Sequence, residues 1–302
     1  QFSNVDTLVR EAIQNILDAE ADQNVPVEVD FSFGQSSDPF ISELFSTLST
    51  FRSHCPNIPS RDFSNIRWLL IKDSKTTGLK GTLQKRRGSD FWKYWMNFGS
   101  GSKASGNLGR HGVGRVSVIL GSKVHTIIGA TLRKGEENPV FSGISLLDNT
   151  NYDGKERSST SLLVKDFLPD DDIYQLHSQD VVNSILQTFG IKFDSPGLAL
   201  IVIDPRDEIT SDRIKAAIIE HFASAIIKGT LKASISGELI SPENIIETAR
   251  GLSDNFQIRN MTEDFESYLS LISDLHNDEM HKHRFELNGP QRIRDFEFAS
   301  EK

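Results

Sequence analysis

The apolar run Ile66-Arg-Trp-Leu-Leu-Ile71, closed by Lys72-Asp73, constrains the fold of this chain more than any other segment. A strand apolar on nearly every residue has no solvated face, so both of its sides need cover and it belongs inside a sheet. Before it, Val27-Glu-Val-Asp-Phe-Ser-Phe33 alternates apolar with polar and reads as a half-buried strand. Further upstream, Val5, Val9, Ala12, Ile16 and Ala19 recur at helical spacing. That spacing predicts a helix over 6–22, started by Asn4 or Asp6 and closed before Pro26. A second helix is expected over 38–52.

Beyond the central strand, a helix is expected over 114–120 and strands over 123–132, 140–147 and 161–166. Short polar turns join these strands, which favours antiparallel pairing. A helix over 181–187, a strand over 198–203, a helix over 212–227 and a strand over 231–235 read as the start of a second unit. Helices are then expected to about His283. Residues 78–114 are rich in Gly, Ser, Lys and Asn, broken only by the aromatic patch Phe91-Trp-Lys-Tyr-Trp95. A loop of that length in a folded domain is functional or mobile.

With 302 residues, 37% of them hydrophobic and 25% charged, the chain can bury a sizeable core and divide into two domains. Its net charge of -9 argues against indiscriminate attraction to nucleic acid or anionic lipid. Cys55 is the single cysteine, which rules out an intrachain disulfide or a thiolate zinc cluster and suits a reducing compartment. No apolar run is long enough to span a membrane, and the N-terminal residues lack the layout of a signal peptide, so a cytoplasmic location is expected. The chain opens on Gln1, which suggests a piece of a longer protein.

Three short pieces carry chemistry. On the first helix Glu11 and Asn15 are one turn apart and Asp18 follows three residues later, so all three share one side. A carboxamide oxygen there can ligate Mg²⁺ carrying a triphosphate, while a carboxylate orients or deprotonates water. Taken alone, the same trio is the solvated face of an amphipathic helix. Asp73 ends the buried strand, where a carboxylate can accept from an exocyclic amine and so read adenine, or simply form a turn. The run Gly109-Arg-His-Gly112-Val-Gly114 precedes a helical pattern, and its backbone amides can approach phosphate oxygens, with a flexible turn as the alternative. Neither a dinucleotide-binding fingerprint nor a Walker loop is present. His276, His281 and His283 lie near acidic residues, but at spacings that suit no standard metal site.

In this order the pieces resemble the motifs of the GHKL, or Bergerat-fold, superfamily of ATPases. That superfamily includes the Hsp90 chaperones, the type II topoisomerase B subunit, the MutL and MORC proteins and the sensor histidine kinases. Its first motif, E-x-x-x-N-x-x-D-A, is matched by Glu11, Asn15, Asp18 and Ala19, and its G-x-x-G-x-G lid end by Gly109, Gly112 and Gly114, with His111 and Val113 between them. The resemblance implies a two-layer α/β sandwich: a mixed, largely antiparallel sheet with helices on one face, then a second α+β region. It implies ATP and Mg²⁺ as ligands, Glu11 as general base, Asn15 as the Mg²⁺ ligand and Asp73 as the adenine reader. Asp18, Lys103, His111, Val113 and the three lid glycines complete the nucleotide site. Thr160 would open a late strand beside Asp73.

The second motif departs from the family's D-x-G-x-G, since Lys75 and Thr77 stand at the glycine positions and Gly78 and Gly81 would take over. The resemblance covers about 1–170, so an ATP-binding domain is expected over 1–190 and a transducer-like or partner-binding region over 191–302. By position alone, Lys228 or Lys232 is a candidate for the γ-phosphate. ATP would order a lid over about 83–109 and drive a conformational or dimerisation switch between two copies, with protein or DNA partners beyond that. By resemblance the context leans toward DNA processing or antiviral defence. A histidine-kinase-like phosphotransfer domain and a non-hydrolysing nucleotide-dependent module are the alternatives. The first usually carries Asn where this chain has Glu11.

Overall fold

The computed structural model describes residues 4–55, 62–81, 89–96, 113–168, 173–252, 267–269 and 271–272. In chain order the elements are α1 (Asn4–Asp18), β1 (Val27–Ser36), α2 (Pro39–Leu44), α3 (Ser46–Ser53), β2 (Ile66–Ser74), α4 (Asp90–Met96) and α5 (Val113–Leu120). Then come β3 (Thr126–Leu132), β4 (Val140–Leu146), β5 (Thr150–Tyr152), β6 (Lys155–Arg157), β7 (Thr160–Leu163), β8 (Asp166–Leu168) and β9 (Ile173–Gln175). The last are α6 (Gln179–Thr188), β10 (Gly197–Ile203), α7 (Ser211–Ile227), β11 (Leu231–Ile235), β12 (Glu238–Ile240) and α8 (Ile245–Gly251).

Eight strands form one sheet in the order β12-β11-β1-β2-β10-β3-β4-β7. Only β1 and β11 run parallel, and every other neighbouring pair is antiparallel. The apolar run at Ile66 is therefore an interior strand, flanked by β1 and β10. Its side chains alternate between two cores. Leu69 and Ile71 join the core beneath α1, α4, α5, α7 and α8, whereas Trp68 and Leu70 join a second core beneath α2, α3 and α6. The same division holds in β10, with Leu200 and Val202 on the first side and Ala199, Ile201 and Ile203 on the second. A strand covered on both faces has no reason to alternate, which explains its continuous apolar sequence. The expected helical layer is present, and the opposite face carries α2, α3 and α6 besides.

The expected boundary near residue 190 does not separate two sheets. β10 lies between β2 and β3, and β11 pairs with β1 at Val27↔Leu231 through Phe31↔Ile235. Residues on both sides of 190 thus build the same hydrogen-bonded layer. The helix expected over 38–52 is two helices: Asp38 caps α2 by accepting from the Phe40 N–H at 3.0 Å, and Phe45 then separates α2 from α3. The aromatic patch expected inside a loop is α4, whose Phe91 and Trp95 are fully buried in the first core. Residues 83–89 and 97–109 of the expected lid lie largely outside the described residues, so α4 is the part of it that the structure describes. The hairpins β5–β6 and β8–β9 and the short strand β12 had no distinct sequence signal.

α1 lies across the first core, burying Val5, Leu8, Val9, Ala12, Ile13 and Ile16. It packs against α5 and α7. Asp6 in its first turn sits 3.8 Å from Nε2 of His221 on α7. Among the described residues, no helix is long and apolar enough to cross a membrane.

Candidate functional site

Asp73 is the penultimate residue of β2, after which the chain turns over the C-terminal end of α1. Hydrogen bonds pin this turn on several sides. Thr77 N–H donates to the Ala19 carbonyl at 2.9 Å, and Ala21 N–H donates to the Lys75 carbonyl at 3.2 Å. From the β3 side, Lys134 N–H donates to the Thr77 carbonyl at 3.2 Å, and Arg133 Nε donates to the Leu79 carbonyl at 2.9 Å. Thr131 Oγ1 accepts from Leu79 N–H and donates to the Gly197 carbonyl, each at 2.9 Å. Lys75 adopts φ +66° and Gly78 φ +63°. At Gly78 a side chain would also run into the Leu132 carbonyl oxygen, so glycine is required there for both conformation and space. Gly197 is needed for a different reason: a Cβ on it would collide with the Asp73 carbonyl oxygen.

Between this turn, α1 and the sheet lies a cavity of about 510 Å³. Ala12, Asn15, Ile16 and Asp18 line it from α1, and Ile71, Asp73, Leu198 and Leu200 from the sheet. Thr76, Thr77, Gly78, Leu79 and Lys80 form the turn side, while Lys93 and Tyr94 of α4 and Val118 of α5 close it further. The cavity has the size and mixed lining of a small-molecule site. It has an apolar floor, cationic side chains from Lys80 and Lys93, and a buried carboxylate.

That carboxylate is the distinctive group. Asp73 is 4% exposed. Its Oδ1 accepts from the Thr76 hydroxyl at 2.6 Å and from the Leu198 N–H at 3.0 Å. Burial pushes its pKa up from 3.8 to about 6, against the opposing effect of the two hydrogen bonds. Both described bonds fall on Oδ1, which leaves Oδ2 to meet whatever enters the cavity.

The residues singled out in the sequence are distributed unevenly. Asn15, Asp18, Asp73 and Gly78 all line the cavity. Glu11 stands on α1 one turn before Asn15, with its side chain 25% exposed and Oε1 3.5 Å from Arg10 Nη2, but it is not part of the lining. Val113 and Gly114 open α5. Lys103, Gly109, His111 and Gly112 lie outside the described residues.

Thr160 is not brought to Asp73. It opens β7, the last strand of the sheet order, with β10, β3 and β4 between it and β2. At the usual strand spacing that is roughly 19 Å away. Its side chain is exposed. Lys228 caps the end of α7 and Lys232 lies 3.5 Å from Glu28, and neither lines the cavity.

Sequence reasoning missed Thr76, Leu198, Leu200 and Tyr94. Leu198 and Leu200 are two residues apart on one strand face, a signal hidden because β10 is apolar on both faces. Thr76 carries no motif signal, since it falls at the variable position between the two expected glycines.

No protein-family profile matches the chain, and no curated protein matches it. Solved structures do resemble it in chain path. The ATPase region of Saccharomyces cerevisiae topoisomerase II matches over 80% of this chain and 51% of its own, at 11% identity and a TM-score of 0.42. The same region bound to ICRF-187 (dexrazoxane) matches over 83% and 53%, at 10% identity and a TM-score of 0.42. The ATPase and transducer domains of DNA topoisomerase II from Balamuthia mandrillaris match over 80% and 50%, at 11% identity and a TM-score of 0.41. The chain therefore spans about half the length of these structures. The likeness is distant, and the functional reading stands on the residues of the cavity.

Proposed function

We propose that the cavity binds an adenine nucleotide and that the chain hydrolyses ATP. The observation that carries this is Asp73: a buried carboxylate at a strand end, saturated on Oδ1 and opening onto the same cavity as Asn15 and Asp18. An ionised carboxylate oxygen accepts only, so it pairs with the exocyclic amine of adenine and repels the carbonyl oxygen that guanine carries at the same place. Ile71, Leu198, Leu200 and Tyr94 offer the apolar and aromatic walls that a purine ring needs.

The phosphates extend along α1 toward Asn15 and Asp18. The Asn15 amide oxygen and the Asp18 carboxylate, both exposed on the cavity wall, are hard oxygen donors of the kind Mg²⁺ takes, so the donor set fits a magnesium-carried nucleotide. Bound Mg²⁺ would neutralise charge on the phosphates. α5 begins at Val113, within the glycine run, and packs against α1, so the amides of its first turn are candidates to receive the phosphates. Glu11 is one turn further along α1 and would hold and deprotonate the attacking water. Closure of the segment between α4 and α5 over the nucleotide would shut out water and alter the surface offered to a second copy or another partner.

A second reading has one observation in its favour. The Glu11 carboxylate does not line the cavity and lies beside Arg10. A chain that binds the nucleotide as a structural ligand, without turning it over, would need no more. Calorimetric titration with ATP and GTP, followed by steady-state ADP release, separates the outcomes. ATP binding in preference to GTP, with turnover lost in Glu11→Ala, supports the ATPase; ATP binding with no turnover supports the second reading. Equal or absent binding of both nucleotides removes the adenine site.

A further inference from the structure

We infer that Thr76 is the positioning residue of the base-reading site, its hydroxyl holding the Asp73 carboxylate in the orientation that leaves Oδ2 for the base. This rests on the adenine-nucleotide reading above and deepens it. The resemblance assigned a supporting hydroxyl to Thr160 on a late strand, but that residue is exposed at the far end of the sheet. Thr76 occupies the place instead, three residues after the aspartate it serves.

Thr76 is 1% exposed. Its Oγ1 lies 2.6 Å from Asp73 Oδ1 and 3.4 Å from the Gly78 N–H. A hydroxyl has one proton. The Gly78 amide can only donate, so Oγ1 accepts there and its proton is left for the carboxylate. With Leu198 N–H on the same oxygen, Oδ1 has two donors, and the carboxylate plane is set from both sides. Both donors are held by other contacts. Thr76 forms a β-bridge with Glu20, beside the Thr77 to Ala19 hydrogen bond at the end of α1. Leu198 stands in β10 between β2 and β3. The base-reading carboxylate is thus tied through Thr76 to the helix that carries Asn15 and Asp18.

This arrangement accounts for the irregular second motif. Lys75, at the first of the family pattern's glycine positions, takes a positive φ, and Thr76 at the variable position after it turns its hydroxyl onto Asp73. Gly78 then provides the close approach to β3.

The charged groups that share the cavity are Asp18 and Glu20 from the end of α1, Lys80 from the turn, and Asp90 and Lys93 from α4. Lys72 and Lys75 flank Asp73 in sequence, and Lys72 Nζ donates to the Lys192 carbonyl at 2.6 Å. At Asp73 itself, burial opposes ionisation while the Thr76 and Leu198 hydrogen bonds favour it. Loss of the Thr76 hydroxyl therefore moves ionisation of Asp73 to higher pH.

The test is ATP affinity of the full chain, in Mg²⁺ buffer from pH 5 to 8, for wild type, Thr76→Val, Thr76→Ala and Thr76→Ser. Titrations of the nucleotide itself are common to all four. Thr76→Val and Thr76→Ala are expected to bind about tenfold more weakly at neutral pH, the usual effect of losing a hydrogen bond to a charged group. Their affinity should level off at a higher pH than in wild type, and their preference for ATP over GTP should fall. Thr76→Ser should restore all three properties. Thr76→Ala keeps the test open if the valine does not fold, since it adds no volume.

A folded Thr76→Ala with wild-type affinity and pH profile overturns the inference. So does an affinity loss with no shift in profile and no rescue by serine, which marks a merely structural residue. If wild type binds no ATP, the adenine-nucleotide reading fails first.

Discussion

Two parts of the cavity lining are built on opposite principles. On the sheet side Asp73 is buried, doubly hydrogen-bonded on a single oxygen and raised in pKa to about 6. On the helix side, Asn15 and Asp18 project from the end of α1 as exposed side chains. A buried carboxylate with a fixed plane suits the recognition of a neutral ring by direction, because the penalty for a mismatched partner is large where water cannot substitute. Exposed oxygens on a helix suit a charged, hydrated chain of phosphates and its cation, which lose less hydration there. On the proposed reading, specificity and chemistry fall in different dielectric environments within one cavity.

Variants on the two sides should fail differently, and the contrast can be broken in order of effect. Glu11→Ala should lower turnover by roughly a thousandfold, the usual range for a general base, while leaving the ATP dissociation constant within about twofold. Single-turnover and equilibrium measurements on the same preparation check this, and unchanged turnover would remove Glu11 from the chemistry.

Next in size is the pH dependence of stability. The folded pKa of Asp73 is raised, so its protonated form is favoured by folding. The contribution is fully present below pH 3.8 and is lost as pH rises through about 6. That interval corresponds to about 3 kcal/mol, to be read as the difference between wild type and Asp73→Asn in denaturant unfolding across pH 3 to 7. Parallel stability curves for the two proteins would contradict the burial argument.

Asp73→Asn should also weaken ATP binding by about tenfold to a hundredfold, since its amide puts a donor near the base amine. Full affinity would dismiss Asp73 as reader. Smallest of all, Thr160→Ala should alter neither ATP affinity nor turnover and should change stability by less than about 0.5 kcal/mol, as expected for an exposed site. A tenfold loss of affinity there would reinstate the late-strand threonine.

The same contrast explains what the sequence could convey. Ile66 to Ile71 announced an interior strand because burial on both faces writes itself directly into residue type. Glu11, Asn15 and Asp18 were legible as a helix face for a similar reason: their spacing and the apolar face of α1 come from one local period. What could not be read was assembly across long separations. β10 was assigned to a second unit, yet it pairs with β2 and β3, and nothing local in Gly197 to Ile203 specifies its neighbours. Thr76 was overlooked because a threonine in a turn is chemically ordinary until the turn brings its hydroxyl to a buried carboxylate. Thr160 was favoured because it opens a strand near the end of the resembling region, and sequence cannot say that three strands separate it from Asp73. The aromatic patch from Phe91 to Trp95 read as a loop interruption, though it is an anchored helix on the cavity wall.

The central claim is that one cavity reads adenine at Asp73 and presents phosphates to α1. A crystal structure of the chain with a non-hydrolysable ATP analogue and Mg²⁺ tests it most directly. The account predicts the adenine amine within hydrogen-bond distance of Asp73 Oδ2, the ring against Leu198 and Leu200, and the phosphates beside Asn15. A nucleotide bound elsewhere, or one seated with its base at Asn15 and its phosphates at Asp73, would contradict it.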